Sequence, residues 1–136
     1  MDEAHARFRK AVEAADLEGM LGSFSDDAVL HSPVSFKPFE GKDAIRALFT
    51  ILLEVFEGFR YTDELAAADG THALIFECTV DGRDVQGLDL IRVDDTGQIN
   101  DFTVMVRPRS AVEALMGAVG SRLAKAAAAS QPAEPS

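Results

Sequence analysis

Residues 26–34 read Asp-Asp-Ala-Val-Leu-His-Ser-Pro-Val, and residues 41–46 read Gly-Lys-Asp-Ala-Ile-Arg. The first stretch predicts a turn and then a short strand that Pro33 interrupts, because proline cannot donate to a sheet ladder. Residues 35–41 contain a second proline and predict a loop. From Lys42 onward apolar residues recur with the period of a helix, which predicts a buried helical face behind the strand.

Helices precede this stretch and strands follow it. Apolar residues fall on one helical stripe over residues 8–15, and Asp16 is placed to cap a second short helix. Downstream, apolar and polar residues alternate with the period of strands, and Asp-Gly or Thr-Gly dipeptides suited to hairpin turns separate the segments. The strand segments are residues 59–68, 73–80, 85–93 and 98–106. This order predicts an α+β domain with an antiparallel meander and a final amphipathic helix.

The composition is that of one globular domain. The chain has 136 residues, of which 47% are apolar and 26% charged. We expect residues 1–125 to form a single domain and residues 126–136, rich in alanine and then in serine and proline, to be a disordered tail. A net charge of −10 argues against a nucleic-acid partner, which is bound through Lys and Arg.

Sequence features of targeting and redox chemistry are few. No apolar run approaches the ~20 residues that cross a bilayer. The first residues, Met-Asp-Glu, do not resemble a signal peptide, so we expect a cytoplasmic protein with no membrane partner. Cys78 is the only cysteine, which excludes an intrachain disulfide and a metal site built on several thiolates.

Nearly the whole chain, from Phe8 to Val106, resembles the nuclear-transport-factor-2-like superfamily, which includes ketosteroid isomerases, SnoaL-like polyketide cyclases and limonene epoxide hydrolases. The resemblance is carried by residues 15–19, 25–28, 32–34, 41 with 44–46, and 89–92 with 96–97. It implies a cone-shaped domain in which a curved antiparallel sheet wraps around the N-terminal helices and encloses an apolar pocket. One fold of this kind hosts many functions, so the resemblance predicts the fold more firmly than the reaction.

The resemblance to ketosteroid isomerases implies site positions that this chain fills differently. Their oxyanion-hole tyrosine aligns with Phe8, their carboxylate base with Ser32, and their protonated oxyanion Asp with Asp89. Phe8 has no hydroxyl and Ser32 is not a base at neutral pH, so ordinary ketosteroid isomerase activity is not expected. The acid of the epoxide hydrolases and cyclases aligns with Arg107, and strand parity places Asp101 on the outer face.

Asp89 is the residue with the clearest chemical potential. If the strand register follows the family, its carboxyl lies among carbon atoms, and desolvation favours a neutral acid that can donate a hydrogen bond to a carbonyl or hydroxyl group. The alternative is a structural acid satisfied by backbone amides, Arg83 or Arg92. The side chains predicted to line the ligand pocket around it are Phe8, Phe24, Phe49, Leu52, Phe76, Cys78, Phe102 and Val104.

His31 and Ser32 are candidates to assist Asp89 in catalysis. His31 could act as a general base near neutral pH. Strand alternation sends its side chain opposite to that of Ser32, although a bulge at Pro33 would reverse this parity.

Two other histidines and the cysteine are assigned structural positions. Cys78 is predicted to be a pocket wall rather than a nucleophile, because a buried thiol without a cationic neighbour stays protonated. His5 and His72 are predicted to lie at the surface. No motif indicates a metal, and no cofactor is expected.

Two functions from different classes stay open. The first is an isomerase, cyclase or dehydratase acting on a hydrophobic carbonyl-containing substrate, with Asp89 as acid or oxyanion donor and His31 or Ser32 assisting. The second is a non-catalytic domain that binds an apolar metabolite. Thr103 and Met105, on the sheet face that helices do not cover, predict a homodimer, whereas the alternative is that such exposed apolar residues are ordinary.

Overall fold

The computed structural model describes residues 3–130, and the side chains through residue 125. Helices form both ends of this region and a sheet lies between them. The elements are α1 Ala4–Glu13, α2 Leu17–Gly22, β1 Phe24–Ser32, β2 Ser35–Glu40, α3 Lys42–Val55, β3 Glu57–Ala66, β4 His72–Val80, β5 Arg83–Val93, β6 Ile99–Arg107 and α4 Arg109–Ser130. The expected α+β fold, with helices at both ends of the chain and a curved sheet, is confirmed.

The sheet has six strands in the order β2-β1-β6-β5-β4-β3, and it is curved but not closed into a barrel. Strands β3 to β6 pair antiparallel with their sequence neighbours, as the meander predicted. The last of these strands, β6, pairs in parallel with β1 along its other edge. The sheet is therefore mixed rather than wholly antiparallel, because β1 enters from the N-terminal helices and not from a hairpin with β6.

The loop predicted at residues 35–41 is largely an edge strand, β2. It pairs antiparallel with β1 through Val29 opposite Glu40 and Leu30 opposite Phe39. Pro38 lacks an amide hydrogen, which argues against a central strand but is tolerated at a sheet edge. The helix predicted from Lys42 is confirmed as α3.

Glycine-containing turns connect the meander as expected. Asp81 and Gly82 both have positive φ, at 50° and 77°, which is the conformation of the two-residue type I′ hairpin loop. The predicted cap of the second helix is also present, because the Asp16 carboxylate accepts a hydrogen bond from the amide of Gly19 at 3.0 Å. Local sequence chemistry thus determines these connections.

The core lies between the helices and the inner face of the sheet. Alternate residues of β4 and β5 point to this face and are buried. Gly87 stands opposite Phe76 in the ladder, and a Cβ atom placed on Gly87 would lie 2.0 Å from Cζ of the Phe76 ring. The ring therefore occupies the space that any larger residue at this position would need.

The last helix, α4, is longer than predicted. It continues to Ser130, past Ala126, where the disordered tail was expected to begin, and residues 131–136 lie outside the described part of the chain. Among the described residues, no helix is both long enough and apolar enough to span a membrane.

Candidate ligand-binding site

A cavity of about 190 Å³ lies between α1, α3 and α4 and the inner face of the sheet. Two groups of aromatic rings shape it. Phe8, Phe24, Phe49 and Phe102 form one group, with ring centroids 5.0–6.2 Å apart. Phe56, Phe59, Tyr61 and Phe76 form the other, with contacting centroids 4.7–5.8 Å apart. The wall is therefore carbon over most of its area.

Most of the side chains predicted for the pocket line this cavity. These are Phe8, Ser32, Phe49, Leu52, Phe76, Asp89, Phe102 and Val104. Phe24 and Cys78, also predicted there, are buried but do not line it. The ring of Phe24 packs among the other three phenylalanines of its group. Cys78 lies on β4 at the next inward-facing position after Phe76. Alternation places a side chain on a face of the sheet but not at a given distance along the strand.

Asp89 enters the cavity from the middle of β5. It stands between Leu74 on β4 and Val104 on β6, and it is 5% exposed. It is the one carboxylate among the lining residues that the structure describes. No basic side chain that the structure describes forms an ion pair with Asp89. Arg92, one of the partners considered for Asp89, instead donates to the hydroxyl of Thr71 at 3.2 Å.

The partner of Asp89 is a tyrosine that the sequence interpretation did not single out. The hydroxyl of Tyr61, on β3, donates to Oδ2 of Asp89 across 3.5 Å. Arg9 lies over the Tyr61 ring, with Cζ 5.3 Å from the ring centroid. The sequence held a signal for Tyr61, since the aromatic residues Phe59 and Tyr61 alternate with polar residues, and in the structure both are partly buried between exposed neighbours.

Burial controls the ionisation of this pair. Loss of hydration raises the pKa of Asp89 to about 8, and the hydrogen bond from Tyr61 offsets part of that increase. Burial and the negative charge of Asp89 both raise the pKa of Tyr61. At neutral pH the pair is thus a phenol, whose hydrogen is donated to Asp89, and a predominantly neutral carboxylic acid, whose own hydrogen is available to a ligand.

Ser32 lines the cavity next to Pro33 and Val34, at the end of β1. Its Oγ accepts a hydrogen bond from the amide of Val34 at 3.1 Å. This bond occupies one acceptor site of the hydroxyl and leaves its hydrogen free to donate. Ser32 can therefore orient a polar ligand atom, but it does not replace a carboxylate base.

His31 does not reach the cavity, so the assisting role considered for it has no structural support. Its Nε2 lies 3.3 Å from Oδ2 of Asp101, and both side chains are partly exposed, at 43% and 38%. His31 pairs with Thr103 in the ladder, on the face opposite to Ser32. The pairing of β1 with β2 shifts its register between Leu30 and Ser32, but the pairing of β1 with β6 stays regular through His31, so this irregularity does not turn His31 inward.

Cys78 and Arg107 are not reactive groups of this site. Burial raises the pKa of the Cys78 thiol to about 12, an effect that nearby Arg60 reduces only in part. The thiol therefore stays protonated at neutral pH. Arg107, at the end of β6, donates to the side chain of Gln86 at 3.0 Å.

The fold and the cavity define a class: an α+β domain that encloses an apolar pocket into which the buried acid Asp89 points. Residues 5–107 match the SnoaL-like domain. The protein belongs to this SnoaL-like family, which confirms the resemblance found in the sequence.

Solved structures show the same relationship. A steroid delta-isomerase from Pseudomonas aeruginosa is 40% identical over 92% of each chain, with a TM-score of 0.86. An uncharacterised protein with a cystatin-like fold from Silicibacter pomeroyi DSS-3 is 30% identical over 92% of this chain and 88% of its own, with a TM-score of 0.85. An NTF-2 like protein of unknown function from Burkholderia xenovorans LB400 shares the fold at 17% identity, with coverage of 79% and 86% and a TM-score of 0.66.

Proposed function

We propose that the cavity binds a hydrophobic small molecule through an oxygen atom, a carbonyl or a phenol, to which neutral Asp89 donates a hydrogen bond. The observation that carries this proposal is the position of Asp89, a buried acid with no basic partner among the described residues, facing an apolar cavity. A hydrogen bond formed inside such a cavity is stronger than one in water because no solvent competes for the donor.

Tyr61 becomes a second donor when its single hydroxyl hydrogen turns from Asp89 to the ligand. Both groups can then reach one ligand oxygen that enters between them. Ketosteroid isomerases hold their oxyanion with a tyrosine and a protonated aspartate in this way. Here the tyrosine comes from β3 rather than from the position of Phe8 on α1.

The size of the cavity favours a ligand with one or two rings. A cavity of about 150 Å³ accepts benzene, and pockets for drug-sized ligands measure roughly 300–1,000 Å³. The cavity of about 190 Å³ lies near the lower of these limits. A rigid four-ring steroid would require the walls to move apart.

The chemistry that this site supports is acid-assisted. An isomerase, cyclase or dehydratase could use Asp89 as the acid or oxyanion donor, with Ser32 orienting the substrate. The 40% identity to a protein described as a steroid delta-isomerase supports an enzymatic role. Ordinary ketosteroid isomerase activity is not part of this proposal, because Ser32 stands where that family has its base and cannot shuttle a proton at neutral pH.

A non-catalytic binding domain is the second candidate. It is favoured by the presence of a single carboxylate among the described lining residues, since proton transfer between two carbon atoms needs a group that accepts the proton. Turnover of a carbonyl substrate with loss in Asp89→Asn would support the enzyme, whereas tight binding without turnover would support the binding domain.

Ligand titrations test the proposal directly. A naphthol, which is a two-ring phenol, should bind the unaltered protein, and Asp89→Leu should weaken binding by about 10-fold or more, as expected for a lost buried hydrogen bond. Asp89→Asn keeps a donor and should weaken it only modestly. Asp101→Leu, which removes a carboxylate from the outer face, is the matched control. Equal affinity in the unaltered protein and Asp89→Leu would contradict the proposal.

We also propose that the protein forms a homodimer through the outer face of the sheet. Ile75, Leu88 and Met105 stand opposite one another on β4, β5 and β6 and form an apolar row on this face. Met105 is 54% exposed. Light scattering at high micromolar concentration should give the dimer mass, Met105→Glu should give the monomer, and Met116→Glu on α4 is the control. A monomer mass for the unaltered protein would rule out the dimer.

A cytoplasmic location completes the proposed function. The one cysteine of the chain, Cys78, is a buried free thiol, and such a chain gains no cross-link from an oxidising compartment. Cell fractionation with a tagged full chain tests this location, and recovery outside the cytoplasm would contradict it.

A further inference from the structure

His5 and His72 form a stacked pair of rings beside Glu3, away from the cavity. The prediction that both histidines lie at the surface is wrong, since His5 is 8% exposed and the side chain of His72 is 13% exposed. Their ring centroids are 3.5 Å apart and their planes differ by 14°. They line a depression that shares no lining residue with the cavity. The proposed ligand site therefore does not account for them.

The Glu3 carboxylate faces one nitrogen of each ring. Its Oε2 lies 3.3 Å from Nδ1 of His5 and 3.7 Å from Nε2 of His72. These distances exceed the ~2.9 Å typical of an N–H···O hydrogen bond. Ligands of a tetrahedral zinc ion, each about 2.0–2.2 Å from the metal, lie about 3.3 Å from one another. All three ligand atoms lie within 4.8 Å of one another, so side-chain movements would have to bring them closer together to surround a metal ion.

In each ring, the nitrogen that points away from Glu3 faces a hydrogen-bond acceptor. His72 Nδ1 lies 3.0 Å from the carbonyl oxygen of Gly70, which can only accept, so Nδ1 carries the hydrogen and the neutral ring has its lone pair on Nε2. His5 Nε2 lies 3.6 Å from Oε2 of Glu64, and its Nδ1 faces Glu3. Histidines that bind metals are oriented by such contacts at the nitrogen remote from the metal.

We propose that Glu3, His5 and His72 bind a divalent transition metal ion such as zinc. Two imidazoles and one carboxylate suit these ions, whereas magnesium and calcium prefer ligand sets made of oxygen. Three protein ligands leave a position for water. The two rings must tilt out of their parallel stack so that both lone pairs converge, a rotation about the soft bond between Cβ and the ring.

The charges near this site are mixed. Arg7 lines the same depression, and the N-terminus of α1 is the positive end of the helix dipole, so both oppose a cation. Glu3 and Glu64 bring two carboxylates that offset them. A bound ion would link the first turn of α1 to the start of β4. Because the ion binds only the folded arrangement, it should stabilise the protein by mass action.

Zinc titration of the full chain tests the proposal by calorimetry and by thermal unfolding. We expect one zinc ion per chain and a rise in Tm, with no such rise in magnesium. Glu64→Gln should weaken zinc binding by about 10–100-fold, the usual cost of losing a group that orients a ligand. His5→Ala and His72→Ala remove ligands and should weaken it further.

The third histidine of the chain provides the matched control. His31 lies on the outer face beside Asp101, so the His31→Ala variant should bind zinc as the unaltered protein does. Glu3→Gln changes a side chain that is 70% exposed, so this variant should fold normally and still lose affinity for zinc. It therefore tests the site even if His5→Ala does not fold. No zinc binding by the unaltered protein, full affinity in Glu3→Gln and His72→Ala, or loss of binding in His31→Ala would each overturn the proposal.

Discussion

Asp89→Asn should make the stability of the protein less sensitive to pH. Burial raises the pKa of Asp89 to about 8 in the folded chain, whereas an unfolded Asp has a pKa of about 3.9. Between these values the folded chain holds a proton that the unfolded chain has released. The contribution of Asp89 to stability is therefore fully present below pH ~4 and is lost as the pH rises toward ~8. Asparagine does not titrate and removes this dependence.

The expected magnitude follows from the size of the pKa shift. Within the window, each pH unit lowers the free energy of unfolding by about 1.4 kcal/mol for one such group. From pH ~5 to pH ~7 the variant should therefore gain roughly 2–3 kcal/mol on the unaltered protein, and the difference should level off above pH ~8. This is a large fraction of the ~5–15 kcal/mol by which domains are stable.

Guanidinium chloride unfolding across that pH range measures the difference. The side-chain amide that Asp89→Asn introduces adds its own hydrogen-bonding contribution, but that contribution is constant, so the slope with pH reports the carboxyl group alone. Asp101→Asn removes a carboxylate from the outer face and controls for a change in net charge. If Asp89→Asn and the unaltered protein differ by the same amount at every pH, Asp89 does not have a raised pKa, and the neutral donor of the proposed function is refuted.

Three further predictions concern packing, ionisation and catalysis. Gly87→Ala should destabilise the fold by about 1–3 kcal/mol in denaturation, because its Cβ would displace the Phe76 ring, while Gly117→Ala in α4, where nothing lies within 4 Å, should not destabilise it. Tyr61→Phe should raise the pKa of Asp89 still further in an infrared carboxyl titration, since it removes the hydrogen bond that favours the anion; an unchanged pKa would contradict the contact. The unaltered protein should convert an unconjugated ketosteroid to its conjugated enone at least roughly 10²-fold more slowly than a typical isomerase, because it lacks a positioned base, and brisk turnover would show that the pocket positions are misassigned.

The sequence predicted the faces of the sheet well because strand alternation is a local property. Phe76 and Asp89 both point inward, as their parity indicated, and His31 points outward. Which positions along a strand border the cavity depends on where the helices pack against the sheet, and a local sequence pattern does not contain this information. For this reason Phe24 and Cys78 were placed in the pocket wall although both lie beyond it.

Contacts between distant segments were beyond the reach of the sequence pattern. Tyr61 meets Asp89 across the intervening strand β4, and His5 meets His72 where α1 packs near the start of β4. Asp89 was singled out from the sequence, but nothing in the segments of Tyr61, His5 and His72 indicated which distant residue each of them contacts. The edge strand β2 was read as a loop because its proline is a strong local signal, and only the pairing with β1 explains why it is tolerated.

The energetic cost of Asp89 itself indicates a function. A buried acid without a basic partner must either lose its charge or lose several kcal/mol of hydration, and an apolar residue of similar size would remove that cost. The wall around Asp89 is aromatic and aliphatic, and Leu74 and Val104 flank Asp89 in the sheet ladder. A leucine at this position would therefore remove one polar contact, the hydrogen bond from Tyr61. Asp89→Leu should therefore unfold at higher denaturant concentration than the unaltered protein at pH ~8 while losing the naphthol affinity. A variant that loses both stability and ligand affinity would show instead that Asp89 is a structural residue.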